Sequence, residues 1–216
     1  NRLRKHLAMS ALLDLLFPSK CVVCERAPQL VCAGCLPTPT PSSELLSGHR
    51  LSYALDLEGA AEKLITGYKD QSKLALASYL AGFLDEALEL LPGRPTQILV
   101  PPSSRQNFAR RGYNPVELIC SRSPKLRSLG RVRVRSIKST LDQRGLGARE
   151  RRENLEGAFE VESGTGPLLI VDDVVTTGAT SLSLASAAET AGFEVAGICV
   201  VARRISSGQT RECKKA

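Results

Sequence analysis

Two neighbouring carboxylates, Asp172 and Asp173, are the residues of this sequence whose types and spacing point most clearly to chemistry. They follow a run of four apolar residues, which is typical of a strand buried inside a parallel sheet. A short loop of threonines and one glycine comes next, and the small residues 181–191 then predict a helix. The first N–H groups of a helix have no partner within it, so a strand-loop-helix junction of this kind attracts anions.

The residue types in this junction indicate which ligand it would take. Gly178 tolerates a positive φ, so the loop can surround an anion with its backbone amides, and its threonines add hydroxyl donors. The two acids would repel a phosphate but suit vicinal hydroxyls, or a metal ion held on the same ligand. A phosphate joined to a diol is a ribose 5-phosphate, and we predict contacts to it from Asp172, Asp173, Val174, Val175, Thr176, Thr177, Gly178, Ala179 and Thr180. An ordinary buried strand before a capped helix is the alternative, but such a strand does not need two acids at its end.

A second strand-loop-helix unit carries three arginines. Residues 97–100 predict a short strand and residues 116–121 a helix, and the loop between them contains Arg105, Arg110 and Arg111. A guanidinium group binds phosphate oxygens in pairs, so this loop suits a pyrophosphate. Residues 101–152 hold 14 Lys and Arg against 3 Asp and Glu, which concentrates the positive charge of a chain that carries +7 overall. A polyphosphate ligand accounts for that concentration, with a solvated surface loop and a nucleic acid partner as the alternatives.

Four cysteines form two CxxC pairs with a spacer of seven residues between them: Cys21, Cys24, Cys32 and Cys35. Each pair lets two sulfurs face one ion, so the two pairs supply four thiolates for a tetrahedral Zn²⁺. Because four thiolates leave no open coordination position, we expect a structural site rather than a catalytic one. A redox motif is the weaker interpretation, since a redox CxxC usually stands alone near a helix start. Paired CxxC motifs also favour a reducing compartment over disulfides.

These sites need a particular arrangement of elements around them. A chain of 216 residues is long enough for one full domain and a small module. The proline-rich segment 36–43 predicts a stiff linker, so we expect an N-terminal helix and zinc module at 1–40 and a larger domain at 44–216. In the larger domain we predict further strands at 51–55, 131–135, 159–161 and 193–201, and helices at 58–68 and 73–91. This alternation predicts an open parallel α/β sheet with flanking helices.

Two further segments bear on access and location. Residues 139–152 contain two glycines and many charges, and they predict a mobile loop that closes over a ligand; simple disorder is the alternative. Near the start of the chain, basic residues precede an apolar run, as in a signal peptide. However, Asp14 interrupts this run, no small-residue cleavage site follows, and the run is too short to span a bilayer. We therefore expect a docking helix at 12–17, no membrane span and a cytoplasmic protein.

The motifs together resemble those of the ComF family, phosphoribosyltransferase-like proteins of which some are tied to DNA uptake in competent bacteria. The resemblance covers nearly the whole chain. It consists of Phe17-Pro18 before the CxxC pairs, Tyr68-Lys69 in reversed order, Val100-Pro101, Arg111-Gly112-Tyr113-Asn114, Gly157-Ala158-Phe159 after a flexible loop, and the segment 172–180. Two departures lie around the arginine loop: Pro102-Ser103 stands where a second Val-Pro step is usual, and Pro115 where Gln is usual.

The resemblance implies a type I phosphoribosyltransferase fold and transfer of ribose 5-phosphate from phosphoribosyl pyrophosphate (PRPP) to an acceptor, usually a nitrogen, with Mg²⁺. It implies that the acids hold the ribose hydroxyls, the loop amides hold the 5-phosphate, and the arginines stabilise the departing pyrophosphate with help from Arg144 or Lys138. The expected catalytic residues are then Asp172, Asp173, Arg105 and Arg111, with Arg110 binding the ligand. Relatives that act on oxopurines carry Asp at the position of Thr176, and Thr accepts no proton at neutral pH, so an oxopurine acceptor is disfavoured.

Three functions remain open at this point. The first is a PRPP-dependent phosphoribosyltransferase with an unknown acceptor. The second is a non-catalytic sensor of PRPP or of a nucleotide, and the third is an accessory protein of DNA uptake that binds single-stranded DNA. The intact acidic pair and Thr-Gly loop favour the first two over the third. The sequence is compatible with an oligomer and does not identify protein partners.

Overall fold

The computed structural model of this chain describes residues 20–26, 29–137 and 157–204. The strands are β1 (Ser42–Leu46), β2 (His49–Asp56), β3 (Gln97–Leu99), β4 (Gly130–Arg131), β5 (Val134–Ser136), β6 (Phe159–Val161), β7 (Pro167–Val175) and β8 (Glu194–Arg203). The helices are α1 (Gly59–Asp70), α2 (Leu76–Leu88), α3 (Arg105–Arg111), α4 (Pro115–Arg122) and α5 (Ala179–Thr190). The helix predicted at 12–17 and the loop predicted at 139–152 lie outside the described residues, as do Lys138 and Arg144.

Six strands form the main sheet in the order β1-β2-β8-β7-β3-β4. Every neighbouring pair in it is parallel except β1 and β2, which form an antiparallel hairpin. The strands β5 and β6 pair in a separate antiparallel sheet. The predicted open, mostly parallel sheet with flanking helices is therefore confirmed.

The strand β7 runs through the middle of the sheet and contributes to a core on each face. Leu169 and Val171 pack in one cluster with side chains of α1, α2 and α4, whereas Leu168 and Ile170 pack in a second cluster with side chains of α5. This alternation follows from the pleat of a strand, and burial on both faces explains the unbroken apolar run. The helices α1 and α5 therefore approach the end of β7 from opposite faces.

The order of the strands creates a crevice beside β7. From β3 the chain continues through α3 and α4 to β4, its neighbour on one side, whereas from β7 it continues through α5 to β8, on the other side. The chain thus leaves the carboxyl ends of two adjacent parallel strands in opposite directions. In open α/β sheets the ligand-binding crevice forms at such a switch point.

Two predictions about the strands were wrong. Residues 131–135 do not form one strand, because β4 ends at Arg131 and β5 begins at Val134 in the other sheet. Arg133 turns the chain out of the main sheet, where its backbone N–H binds the carboxylate of Glu162 at 2.8 Å. The predicted linker 36–43 overlaps with the edge strand β1, which begins at Ser42. The segment forms a strand because its hairpin with β2 supplies partners for its backbone, and this pairing is not visible in its sequence.

Candidate functional site

The two neighbouring acids lie inside the end of β7, and they point in different directions. Asp173 is buried, with 3% of its surface exposed, and its carboxylate lies 2.6 Å from the ammonium of Lys69 at the end of α1. Asp172 lines an open cleft on the side of α5 and accepts a hydrogen bond from the backbone N–H of Asp173 at 2.8 Å. Successive residues of a strand face opposite sides, so one acid is held by the fold and the other meets the cleft.

The charges around this pair set its protonation. Burial and the negative charge of Asp173 raise the pKa of Asp172 to about 8, although Lys69 acts in the opposite direction. Burial tends to lower the pKa of Lys69, but the carboxylates of Asp173 and Asp172 outweigh that effect and raise it. Lys69 is therefore charged near neutral pH, and a cation bound in the cleft would favour the ionised form of Asp172. A carboxylate accepts hydrogen bonds from sugar hydroxyls, which suits a diol.

The loop after β7 forms the floor of the cleft. The cleft is lined by Asp172, Val174, Val175, Thr176, Thr177, Gly178, Ala179, Thr180 and Ser181. Gly178 has φ 77°, and a Cβ at this position would lie 2.6 Å from the side chain of Leu46 in β1. The backbone conformation therefore favours glycine here, and any larger residue would also force the side chain of Leu46 to move.

The helix α5 starts in the cleft. Its backbone begins to pair when the N–H of Leu182 binds the carbonyl of Gly178 at 2.9 Å. The N–H of Ala179 makes only a long 3.4 Å bond to the hydroxyl of Thr177. By the geometry of a helix, the N–H groups of the first turn have no acceptor within the helix, and the residues that carry them line the cleft. The cleft therefore has the character of an anion site beside a carboxyl group.

The three arginines lie on a short helix rather than on the predicted loop. The hydroxyl of Ser104 caps the start of α3 by accepting the N–H of Asn107 at 3.2 Å, and Gly112, with φ 76°, ends it. None of the residues of α3 is buried. The segment forms a helix because Ser104 caps its start. A serine at this position is a helix-start signal in the sequence, whereas the segment has no apolar periodicity that would indicate a helix.

The structure connects Arg111 to the acidic pair through Lys69. The Nε group of Arg111 donates to the backbone carbonyl of Lys69 at 3.0 Å, and its Nη2 atom lies 3.3 Å from the carboxylate of Asp70. The Nη2 atom of Arg110 lies 3.8 Å from the same carboxylate. Arg105 stands exposed at the first position of α3. The contacts among the described residues thus bring Arg111 and Arg110 to the end of α1, and Arg111 through it to Asp173.

Lys69 belongs to the candidate site, although reasoning from the sequence gave it no role there. The only signal was its place in the Tyr68-Lys69 element that resembles the ComF pattern, because nothing in its spacing relates it to Asp173. Its neighbours hold the same corner in place: the hydroxyl of Tyr68 donates to the carbonyl of Pro115 at 2.8 Å. The amide of Asn114 donates to the carbonyl of Pro101 at 2.8 Å while its oxygen caps α4. These bonds tie the segments after β3 to the end of α1.

The four cysteines form a cluster that can hold a metal ion. All four sulfurs lie within 4.8 Å of one another, and those of Cys24 and Cys32 are 3.8 Å apart. Four sulfurs bound to zinc at about 2.3 Å are separated by about 3.8 Å in a tetrahedron, so the arrangement fits such an ion. Burial opposes ionisation of Cys21, but backbone N–H groups of Cys24, Cys32 and Val23 outweigh it and lower its pKa to about 6. Hydrogen bonds with the thiols of Cys32 and Cys24 raise the pKa of Cys35 to about 12, so without an ion the cluster shares its negative charge unequally. Thiolate formation is what a metal ligand needs.

The cysteine cluster packs directly on α1. The ammonium of Lys63 donates to the carbonyl of Val23 at 2.8 Å. The side chain of Val22 lies so near Gly67 that a Cβ there would be 3.4 Å from it. Since α1 ends in the residues that hold Asp173 and Arg111, this module supports the helix on which the candidate site depends.

Across the described residues, no helix has the length and apolar character to cross a membrane.

This arrangement defines an α/β protein with a cleft, lined by a threonine-glycine loop and a carboxyl group, at the switch point of its sheet, joined to a four-cysteine module. No known family model matches the sequence. The DNA utilization protein YhgH of Salmonella typhi is 32% identical over 170 residues, which cover 73% of this chain and 71% of that protein. YhgH of Escherichia coli strain K12 is 32% identical over 169 residues, covering 72% and 70%. Competence protein F of Haemophilus influenzae is 34% identical over 117 residues, covering 50% and 51%.

The chain belongs to the ComF family, as its relatives at this identity and coverage show. Among solved structures, that of orotate phosphoribosyltransferase from Aeropyrum pernix aligns with this chain at 18% sequence identity and a TM-score of 0.26. The alignment covers 77% of this chain and 88% of the orotate phosphoribosyltransferase chain. An overlap this loose says nothing about the activity of this chain.

Proposed function

We propose that this protein binds PRPP and transfers its ribose 5-phosphate to an acceptor, as part of DNA uptake or utilization. The observation that carries the proposal is the shared cleft: the carboxyl of Asp172, the loop 176–178 and the start of α5 all line it. A cleft that offers N–H groups at one end and a carboxyl beside them matches a phosphate joined to a sugar diol. The names of the relatives YhgH and competence protein F support the link with DNA.

Each part of the ligand has a counterpart in the structure. The 5-phosphate would take the N–H groups and hydroxyls of residues 176–180, and the ribose hydroxyls would bind Asp172. Asp173, fixed by Lys69, would act on the ligand through the position and charge of Asp172. The pyrophosphate would face the arginines of α3, two of which, Arg110 and Arg111, are tied to the end of α1.

The proposed reaction breaks the bond between the ribose C1 and the pyrophosphate oxygen and forms a bond from C1 to the acceptor nitrogen. Positive charge grows on the sugar ring as pyrophosphate leaves with the bonding electrons, and the acceptor loses a proton. The negative charge of the acidic pair favours the positive charge that grows on the sugar ring. Arg105 and Arg111 favour the negative charge of the departing pyrophosphate. Mg²⁺, when bound with PRPP, supplies further positive charge at the pyrophosphate, and the carboxyl of Asp172 is the type of oxygen ligand it accepts.

We propose Zn²⁺ for the four-cysteine cluster and a structural role for it, because four thiolates and the observed sulfur spacing fit that ion. In this proposal the module at 1–40 supports the domain at 44–216 in a reducing, cytoplasmic environment. Metal analysis of the purified chain should give one zinc per protein. A chelator should then lower the melting temperature of the chain but not that of a variant in which all four cysteines are replaced by serine.

The experiment for the PRPP site is calorimetric titration of PRPP with Mg²⁺. We expect saturable binding to the native chain and its loss in Asp172→Asn, with an unchanged circular dichroism spectrum. Asp85→Asn, whose carboxylate binds Ser123 away from the cleft, is the matched control. Binding that survives in Asp172→Asn would reject this cleft as the PRPP site. Release of pyrophosphate with a screened acceptor would distinguish a transferase from a sensor that only binds PRPP.

A second candidate function is binding of single-stranded DNA, favoured by the surface of α3. Phe108 is 51% exposed on this helix, between the arginines at its two ends. An aromatic ring can stack on a base of any type while arginines contact the phosphates. Binding of a labelled oligonucleotide that weakens steeply with salt and is lost in Phe108→Ala would support this function. Competition by PRPP would show whether both ligands use the same edge of the sheet.

A further inference from the structure

We propose that Asp70 acts as an internal substitute for the pyrophosphate of the ligand: its carboxylate binds the arginines of α3 when the site is empty, and PRPP must displace it. This inference rests on the proposed function, since it assumes that the same arginines receive the pyrophosphate. It identifies a residue that determines affinity and that lies outside the acidic pair, the loop and the arginines themselves.

The geometry of Asp70 suggests this role. Its Oδ1 atom lies 3.3 Å from Nη2 of Arg111 and 3.8 Å from Nη2 of Arg110, so one carboxylate oxygen is shared between two guanidinium groups. Two guanidinium groups converging on one acidic oxygen form the type of pocket that also binds phosphate oxygens. Asp70 is the last residue of α1, directly after Lys69, so its carboxylate belongs to the same corner as the acidic pair.

The contact is of a kind that a ligand can replace. The side chains of Asp70 and Arg110 are 54% and 50% exposed, whereas that of Arg111 is 11% exposed. An ion pair whose acid is open to water is weak. The end of α1 does not depend on it, because Nε of Arg111 holds the carbonyl of Lys69 separately at 3.0 Å. A diphosphate group carries more negative charge and more acceptor oxygens than one carboxylate. It should therefore take both arginines and leave Asp70 to solvent.

This role predicts a gain of affinity, which damage to the fold would not produce. Asp70→Asn keeps an oxygen that can accept from Arg111 but removes the competing charge. We expect PRPP with Mg²⁺ to bind about two- to fivefold more tightly to this variant than to the native chain. Ribose 5-phosphate lacks the pyrophosphate and should bind both proteins equally. Glu62→Gln, which removes a carboxylate of the same helix that pairs with Arg204 instead, is the control for net charge.

Calorimetric titration of the native chain, Asp70→Asn and Glu62→Gln with PRPP and with ribose 5-phosphate tests the inference. The inference is supported if Asp70→Asn binds PRPP more tightly than the native chain does, while its binding of ribose 5-phosphate and the binding of both ligands by Glu62→Gln are unchanged. Equal or weaker binding of PRPP by Asp70→Asn overturns this inference while leaving the proposed function intact. A similar gain for ribose 5-phosphate or in Glu62→Gln also overturns it, because that result indicates a general effect of charge. Absence of PRPP binding in all three proteins overturns both this inference and the proposed function.

Discussion

The end of β7 and the helix α3 lie at the same edge of the sheet, but only the first is built into the core. Asp173 is 3% exposed and paired with Lys69, and Gly178 fits closely against Leu46. By contrast, α3 has no buried residue and is joined to the rest of the chain by its capping residues and by Arg111. The part that would hold the sugar and its 5-phosphate is therefore rigid, and the part that would hold the pyrophosphate is exposed and more easily adjusted.

This difference has a physical reason. A ribose phosphate site needs a carboxyl group and backbone N–H groups at fixed positions, which a central strand and a helix start provide. A pyrophosphate must arrive and leave, so its site gains from contacts that solvent or a side chain such as Asp70 can replace. The comparison predicts that substitutions near β7 act on stability as well as on ligand binding, and that those on α3 act mainly on ligand binding.

The largest expected effect is that of Lys69→Met. Removing the ammonium leaves the buried carboxylate of Asp173 without its partner, which should lower the free energy of unfolding by about 3 kcal/mol at pH 8. Urea unfolding measures this loss of stability. The control is Lys125→Met, which removes the exposed ion pair of Lys125 with Glu89. The double variant Lys69→Met/Asp173→Asn should regain most of the loss. A small effect in the single variant would contradict the rigid description of this region.

Gly178→Ala should have the next largest effect. Its Cβ would collide with Leu46, and alanine disfavours the positive φ, so we expect a loss of about 2 kcal/mol in the free energy of unfolding and weaker binding of PRPP. Adding Leu46→Ala removes the collision but not the backbone strain, and should restore only part of the stability. Gly93→Ala tests strain without a collision, since nothing lies within 4 Å of a Cβ there. Equal losses in the two glycine variants would indicate that the approach of the hairpin is unimportant.

The pH dependence of stability should report on Asp172. Its pKa is raised from 3.8 to about 8 in the folded chain, so between these values the folded state binds more protons than the unfolded state. Its contribution to stability is therefore complete below pH 4 and is lost as the pH rises through about 8. Between pH 5 and pH 9 we therefore expect Asp172→Asn to lose less stability than the native chain. Parallel curves for the two proteins in urea unfolding would contradict the raised pKa.

The smallest effect on stability is expected on α3. Arg105→Ala removes an exposed side chain at the first position of the helix, so the free energy of unfolding should change by less than about 0.5 kcal/mol. Binding of PRPP should nevertheless weaken about tenfold, because a charge-assisted contact to the ligand is lost. Arg122→Ala on α4 is the control for overall charge. A fall in stability with unchanged binding would reverse the comparison between the two regions.

The sequence by itself determined the features that depend on local pattern. The apolar run before Asp172, the spacing of the cysteines and the alternation of strands and helices predicted a central strand, a four-sulfur cluster and an open α/β sheet. Each of these depends on neighbouring residues, because pleat, helix period and chelate spacing are local properties. The same patterns, together with the ComF resemblance, were enough to select the loop 176–180 as a candidate site.

Only the tertiary structure decided which of the two acids faces the cleft and what neutralises the other. Lys69 comes from a helix far away in the sequence, and no local pattern shows that it meets Asp173. The same holds for Asp70 against the arginines and for Leu46 against Gly178. These contacts form because α1 and the hairpin of β1 and β2 pack against the end of β7. Packing between distant elements is set by the whole core and not by the residues that finally touch.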